Sequence, residues 1–114
     1  MDLESTIRDR ALLRLAEIFH APVATLKPEL QFGIDLKASF VSDFRRNELD
    51  RVNDDIHDVA DRAIAKELAS ERLVIQTVED YCAHMVRCST VKPKDVTKLL
   101  KLDDDQRKRS ATSV

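Results

Sequence analysis

Apolar residues recur along the chain at spacings that are typical of amphipathic helices. Near the N-terminus they fall three or four positions apart, at Ile7, Ala11, Leu15 and Ile18. This spacing predicts a helix with one buried face, beginning at Ser5 or Thr6 and ending before Pro22. Residues 21–37 contain two of the three prolines and the only glycine. We therefore expect a long ordered loop after the first helix.

The middle of the chain is predicted to be helical with few breaks, because neither glycine nor proline occurs between Gly33 and Pro93. Asn47, followed three residues later by Asp50, is predicted to cap a helix there. Its apolar face steps by three and four positions through Leu49, Val52, Ile56, Val59 and Ala63. This helix is expected to bury one side and to expose the other.

Two further helices are predicted toward the C-terminus. Thr77 is a preferred N-cap residue and is predicted to begin one of them. The apolar residues that follow it are Val78, Tyr81, Cys82 and Met85. Pro93 suits the first turn of a last short helix. We expect residues 1–102 to form one all-α domain, and residues 103–114, which are charged and small, to form a disordered tail.

Composition agrees with a small globular protein. The 114 residues are 43% hydrophobic and 35% charged, which allows one modest core. No apolar run approaches the roughly 18 residues of a membrane span, and no signal pattern is present, so a cytoplasmic location is expected. Cys82 and Cys88 lack closely spaced partners for zinc and are interpreted as reduced structural thiols. No phosphate-loop, nucleophile-elbow or metalloprotease motif occurs, which argues against an enzyme.

Residues 15–39, LAEIFHAPVATLKPELQFGIDLKAS, resemble the first half of an acyl carrier protein. In both, the first helix ends in Leu-Ala-Glu followed by two apolar residues. In both, the loop that follows contains, in order, a Pro-Glu step, a buried Phe, an Asp-Leu pair and a serine. Residues 75–81, IQTVEDY, are similar to the opening of that family's last helix. The resemblance implies a small acyl-carrier-like helical bundle, here with an extra C-terminal helix. Four residues are then expected in its core: Phe32, Leu36, Phe40 and Phe44.

The resemblance also implies a cofactor and partners. Ser39 is similar in position to the serine that carries covalent 4′-phosphopantetheine, and Ser42 competes with it. A helix start favours the added phosphate, although Ser39 could also be a simple N-cap. The implied function is to present an acyl group in fatty acid or lipid biosynthesis, as a monomeric phosphoprotein. The implied partners are acyl-transferring or acyl-activating enzymes and a phosphopantetheinyl transferase.

A second register of the same resemblance gives a different function. Residues 39–50, SFVSDFRRNELD, can be aligned so that Glu48 stands where the modified serine should be. Glu48 lies 29 residues before Thr77, whereas Ser39 lies 38 residues before it. In this register the protein is a carrier-like domain without an arm, which acts only in protein interactions.

Charge is divided along the chain, although the net charge is only -2. Residues 43–61 contain seven acidic and three basic residues, and residues 87–109 contain eight basic and four acidic residues. The residues expected to bind basic partner enzymes are Asp50, Asp54, Asp58 and Asp61. Their alternative role is that of a solvated helix face. A metal site formed with His57 has no other support in the sequence.

Residues 51–55 and 90–96 also resemble the two loops that flank the long middle helix of a histone fold. This resemblance implies a helical dimer that binds DNA or a histone-like partner. The acidic middle of the chain argues against it, because DNA binding needs clustered Lys and Arg. We therefore do not expect nucleic acid binding.

Overall fold

The computed structural model describes residues 3–36 and 47–102, and these residues are organised into helices. Within these residues there are five helices: α1 (Leu3–Phe19), α2 (Glu48–Asp58), α3 (Arg62–Ala69), α4 (Val78–Val91) and α5 (Pro93–Leu100). A short 3₁₀ turn, Val23–Thr25, lies in the loop after α1. The described part contains only isolated β-bridges and no strand. The predicted all-α class is confirmed, and the expected tail, residues 103–114, lies outside the described residues.

The core is centred on the contact between α1 and α4. The four residues predicted to form the buried face of α1 are Ile7, Ala11, Leu15 and Ile18, and each is at most 1% exposed. On α4 the buried apolar residues are Val78, Tyr81, Cys82, Met85 and Cys88. The helical spacing therefore predicted both faces correctly, because a buried side chain every three or four positions follows one side of a helix.

Three helix starts agree with the predicted caps, and the first does not. Asn47 and Thr77 each form a capping box with the Asp three residues later, and Pro93 occupies the first turn of α5. The prediction that α1 begins at Ser5 or Thr6 is wrong, since the helix already includes Leu3 and Glu4. Glu4 suits the first helical turn because an acidic side chain there complements the helix dipole.

The middle of the chain breaks where the sequence predicted continuity. Helix α2 ends at Asp58, and α3 begins after residues 59–61. The cause is Asp61, whose carboxylate accepts a 2.8 Å hydrogen bond from the backbone N–H of Ile64 and so caps a new helix. Ala63, predicted on the apolar face of α2, is exposed at the start of α3.

The loop after α1 packs against the core over its described residues, 20–36. Its Phe32 stacks on Phe19 at 6.2 Å between ring centroids and meets the Tyr81 ring edge-on at 6.3 Å. The backbone N–H of Phe32 donates to the carbonyl of Gln76 over 2.8 Å. Phe32 and Leu36 are half-buried rather than fully buried as expected. The other two aromatic residues of that prediction, Phe40 and Phe44, lie outside the described residues.

The backbone differs from the histone-like interpretation. Residues 51–55 lie inside α2 instead of forming a loop, and residues 59–61 and 70–77 interrupt what would be the long middle helix. The capping side chains of Asp61 and Thr77 account for the new helix starts after these interruptions.

The described helices are too short or too polar to span a membrane. Both cysteines are buried free thiols, as predicted.

Candidate interaction site on helix α2

Helix α2 begins at the position that the second register of the carrier resemblance indicates. Asn47 is its N-cap, and the Asn47 side chain accepts a 2.8 Å hydrogen bond from the N–H of Asp50. The Asp50 carboxylate in turn accepts from the N–H of Asn47 at 3.3 Å. Glu48 is the first helical residue. Ser39 and Ser42 lie outside the described residues.

The start of α2 does not suit a phosphopantetheine group. Such a group is attached through a hydroxyl oxygen, and Glu48 and Asp50 supply only carboxylates in this first turn. Their negative charge already complements the helix dipole and would repel a phosphodiester. Because Asn47 and Asp50 cap each other, the backbone N–H groups that would bind a phosphate are partly satisfied. The residues present at this helix start therefore do not fit the group.

The outer face of α2 is acidic along its length. Asp50, Asp54 and Asp58 are four positions apart and therefore lie on one face. Asp50 and Asp58 are exposed, and Asp54 is half-buried. Exposed His57 places its Nδ1 2.9 Å from the carbonyl oxygen of Asn53. We call Asp50, Asp54 and Asp58 the acidic face.

Asp61 does not belong to this face. The sequence placed it one turn beyond Asp58 on a continuous helix, but α2 has already ended there. Its carboxylate caps α3, so that substitution of Asp61 would change the fold as well as the charge. Of the four predicted docking residues, the structure brings together three on α2.

The opposite side of α2 carries a buried acid that the sequence reasoning missed. Asp55 is 2% exposed. Its carboxylate accepts hydrogen bonds of 2.8 and 3.1 Å from the Arg14 guanidinium, and one of 2.9 Å from the Tyr81 hydroxyl. A signal for this was present, because Asp55 follows Val52 by three positions and precedes Ile56, and so lies on the apolar face. We call Asp55, Arg14 and Tyr81 the buried triad.

The triad raises the pKa of two of its members. Burial, together with the negative charge of Asp55, raises the pKa of the Tyr81 hydroxyl well above its ordinary value of 10.0. The hydrogen bond to Asp55 raises the pKa of Arg14. Tyr81 therefore keeps its proton throughout the neutral range and donates a hydrogen bond to Asp55. Through Asp55 the triad fixes α2 to both α1 and α4.

A second polar contact lies next to the triad. Buried His84 on α4 has its Nε2 2.8 Å from the backbone oxygen of Ile56. Two consecutive residues therefore fix α2 to its neighbours. Asp55 does so through its side chain and Ile56 through its backbone carbonyl. With its inner side fixed in this way, α2 presents the acidic face outward.

The described residues show neither a group of metal-ligating side chains nor an activated thiol. In the part of the chain that the structure describes, no three His, Cys, Asp or Glu side chains are grouped so that they could hold a metal ion. Burial raises the pKa of both Cys82 and Cys88 to about 11, so neither thiol is an activated nucleophile. No family model matches the chain, and neither the curated proteins nor the solved structures contain a match.

Proposed function

We propose that this protein is an acyl-carrier-like interaction module whose α2 carries no phosphopantetheine arm. The observation that carries the proposal is the start of α2 at Glu48, behind the cap Asn47. In the carrier resemblance, the helix after the long loop starts at the modified serine. A glutamate in that place cannot be esterified by the transferase, because it has no hydroxyl oxygen.

The surrounding structure supports a carrier-like arrangement. The Leu-Ala-Glu segment that the resemblance puts at the end of the first helix lies in the last turns of α1, at residues 15–17. Phe32 in the loop packs on the core. Thr77 and Asp80 form the capping box that opens α4, where the resemblance expects the opening of the family's last helix.

The acidic face is the surface through which this module would act. Helix α2, which carries this face, is fixed to α1 and α4 by the buried triad. Charged surfaces of this kind accelerate encounter and select partners more than they add affinity. The proposed partners are enzymes that handle acyl groups and present Lys and Arg at their docking sites. Under this proposal a phosphopantetheinyl transferase is not a partner.

A second candidate is an acyl carrier protein that bears its phosphopantetheine arm on Ser39. The loop is fixed up to Leu36, whose carbonyl accepts a 2.8 Å hydrogen bond from Gly33, and Phe32 is fixed to Gln76. Ser39 follows only three residues after this anchored turn. The ungapped carrier-like match of residues 15–39 therefore runs through this anchored turn, which favours this candidate.

Mass measurement separates the two proposals. Protein co-expressed with a broad-specificity phosphopantetheinyl transferase is expected to retain its unmodified mass, because the start of α2 has no acceptor hydroxyl. The measurement is intact-protein mass spectrometry, with a known carrier protein expressed alongside as a positive control. A gain equal to one phosphopantetheine group that disappears in Ser39→Ala and persists in Ser42→Ala would establish the second candidate instead.

Charge reversal tests the acidic face. The double variant Asp54→Lys/Asp58→Lys is expected to slow association with a lysine-rich helical peptide at low salt, by about tenfold or more. The difference should shrink as salt shortens the Debye length to about 8 Å at physiological ionic strength. Stopped-flow or biosensor kinetics would measure both rates, with circular dichroism to verify the helices.

A matched control changes the same net charge elsewhere. Asp9 on α1 and Glu29 in the loop are both exposed. The variant Asp9→Lys/Glu29→Lys is expected to slow association much less than the α2 variant, because these residues lie outside the acidic face. Equal slowing in the two variants would mean that net charge, not the acidic face, attracts the peptide.

A further inference from the structure

The outer side of α5 carries a row of exposed lysines. Lys94 and Lys98 lie four positions apart and therefore share one face of this helix. Lys101, which is also exposed, follows at the C-cap. In the part of the chain that the structure describes, neither Lys94 nor Lys98 forms an ion pair. We call Lys94, Lys98 and Lys101 the basic face.

Contacts at both ends fix α5 beside α2 and α1. At the start of α5, the Lys92 ammonium donates a 3.4 Å hydrogen bond to the backbone carbonyl of Asp58, the last residue of α2. At the other end, the Arg10 guanidinium on α1 donates to the carbonyls of Leu100 and Lys101 over 3.1 and 2.9 Å. The basic face therefore lies on a helix whose position is fixed.

The basic face adjoins the acidic face across one open groove. Asp58 of the acidic face lines this groove together with Lys98 and Lys101. Half-buried Leu99 lines the same groove and a neighbouring one, where Leu13 is 47% exposed. Negative charge, positive charge and apolar side chains are thus placed side by side on one surface.

Most other charges of the two grooves are already paired within the chain. The ion pairs are Arg14 with Asp55 at 2.8 Å, Lys92 with Asp95 at 3.5 Å, and Lys101 with Glu17 at 3.9 Å. Among the described residues, no such ion pair is seen for Asp58, Lys94 or Lys98. The charges that remain for an outside partner therefore include both signs.

We propose that this surface binds a second copy of the chain, so that the acidic face of each protomer meets the basic face of the other. A two-fold axis exchanges the two copies, and each contact between opposite charges then occurs twice. A partner of one sign can match only one of the two faces, whereas a second copy matches both. The same contact would remove part of Leu99 from water, which favours association.

The pairing is expected to be weak and reversible. Exposed ion pairs contribute little individually, so we expect a dissociation constant of about 0.1–1 mM at low salt. The carrier resemblance implies a monomer, and the pairing uses only the charges of this chain, so it does not rest on the proposed function. Because it covers the acidic face, the pairing would compete with a basic partner for the same carboxylates.

Sedimentation equilibrium of the full chain at several concentrations measures the pairing. At about 0.01 M salt, where the Debye length is about 30 Å, protein at about 1 mM should contain a large fraction of dimer. At about 1 M salt, where the Debye length is about 3 Å, the dissociation constant should rise by about tenfold or more.

Two charge-reversed variants give the decisive test. Asp54→Lys/Asp58→Lys places positive charge on both faces, and Lys94→Glu/Lys98→Glu places negative charge on both. Each variant alone should show a dissociation constant raised by about tenfold or more, because like charges then meet. An equimolar mixture of the two should regain the dimer, since opposite charges meet again at both contacts. Native mass spectrometry would identify this dimer as a heterodimer.

Lys27→Glu/Lys66→Glu is the matched control, since both lysines are exposed and neither lines the two grooves. It should pair like the wild type, with circular dichroism to verify the helices of every variant. The proposal is overturned by a wild type that stays monomeric at low salt, by equal weakening in the control, or by a folded mixture that stays monomeric. If the Asp54→Lys/Asp58→Lys variant does not fold, an unchanged dissociation constant in Lys94→Glu/Lys98→Glu would equally overturn it.

Discussion

Replacing Asp55 with alanine is expected to reduce the free energy of unfolding by about 3–5 kcal/mol. The change leaves Arg14, whose side chain is 19% exposed, without its anion inside the fold, and leaves the Tyr81 hydroxyl without its acceptor. Small domains are stable by only about 5–15 kcal/mol, so this is a large part of the total. Urea denaturation followed by circular dichroism would measure the effect.

Asp58→Ala is the matched control for this prediction. Asp58 is an exposed acid of the same helix, and its removal should stay within about 0.5 kcal/mol. In the double variant Asp55→Ala/Arg14→Ala, the loss should be smaller than the sum of the two single losses, since no charge is left buried alone. Similar losses in Asp55→Ala and Asp58→Ala would show that the triad contributes little.

Much of the fold could be predicted from local rules. Helical spacing identified the buried side of α1, and the Asn47, Thr77 and Pro93 signals identified three helix starts, because these features depend on residues a few positions apart. The break at residues 59–61 was not predicted. Asp61 was counted as one more charge on a helix face, although a carboxylate can equally cap a new helix. Deciding between these roles requires the tertiary position of the segment.

Less of the candidate site than of the fold could be predicted from the sequence. Asp54 and Asp55 are neighbours of identical type, yet one lies on the acidic face and the other is the centre of the buried triad. Position on the helix separates them, but the partners of Asp55 are 41 and 26 residues away in sequence, at Arg14 and Tyr81. A sequence pattern cannot bring such distant residues together. The two registers, Ser39 and Glu48, likewise differ only in where α2 begins.

Tyr81 contributes to stability through its buried ring and through its hydroxyl, and two substitutions separate these contributions. The Tyr81 ring is fully buried and meets Phe32, so Tyr81→Ala is expected to cost about 3–5 kcal/mol through lost packing and a cavity. Tyr81→Phe keeps the ring and removes only the hydroxyl. Since Asp55 retains both hydrogen bonds from Arg14, this variant should cost only about 1 kcal/mol. Urea denaturation of the two variants beside the wild type would give both values. Equal losses of unfolding free energy in both variants would mean that the hydroxyl, rather than the ring, makes the main contribution. The loop carrying Phe32 would then depend on the Tyr81 ring less than their contact indicates.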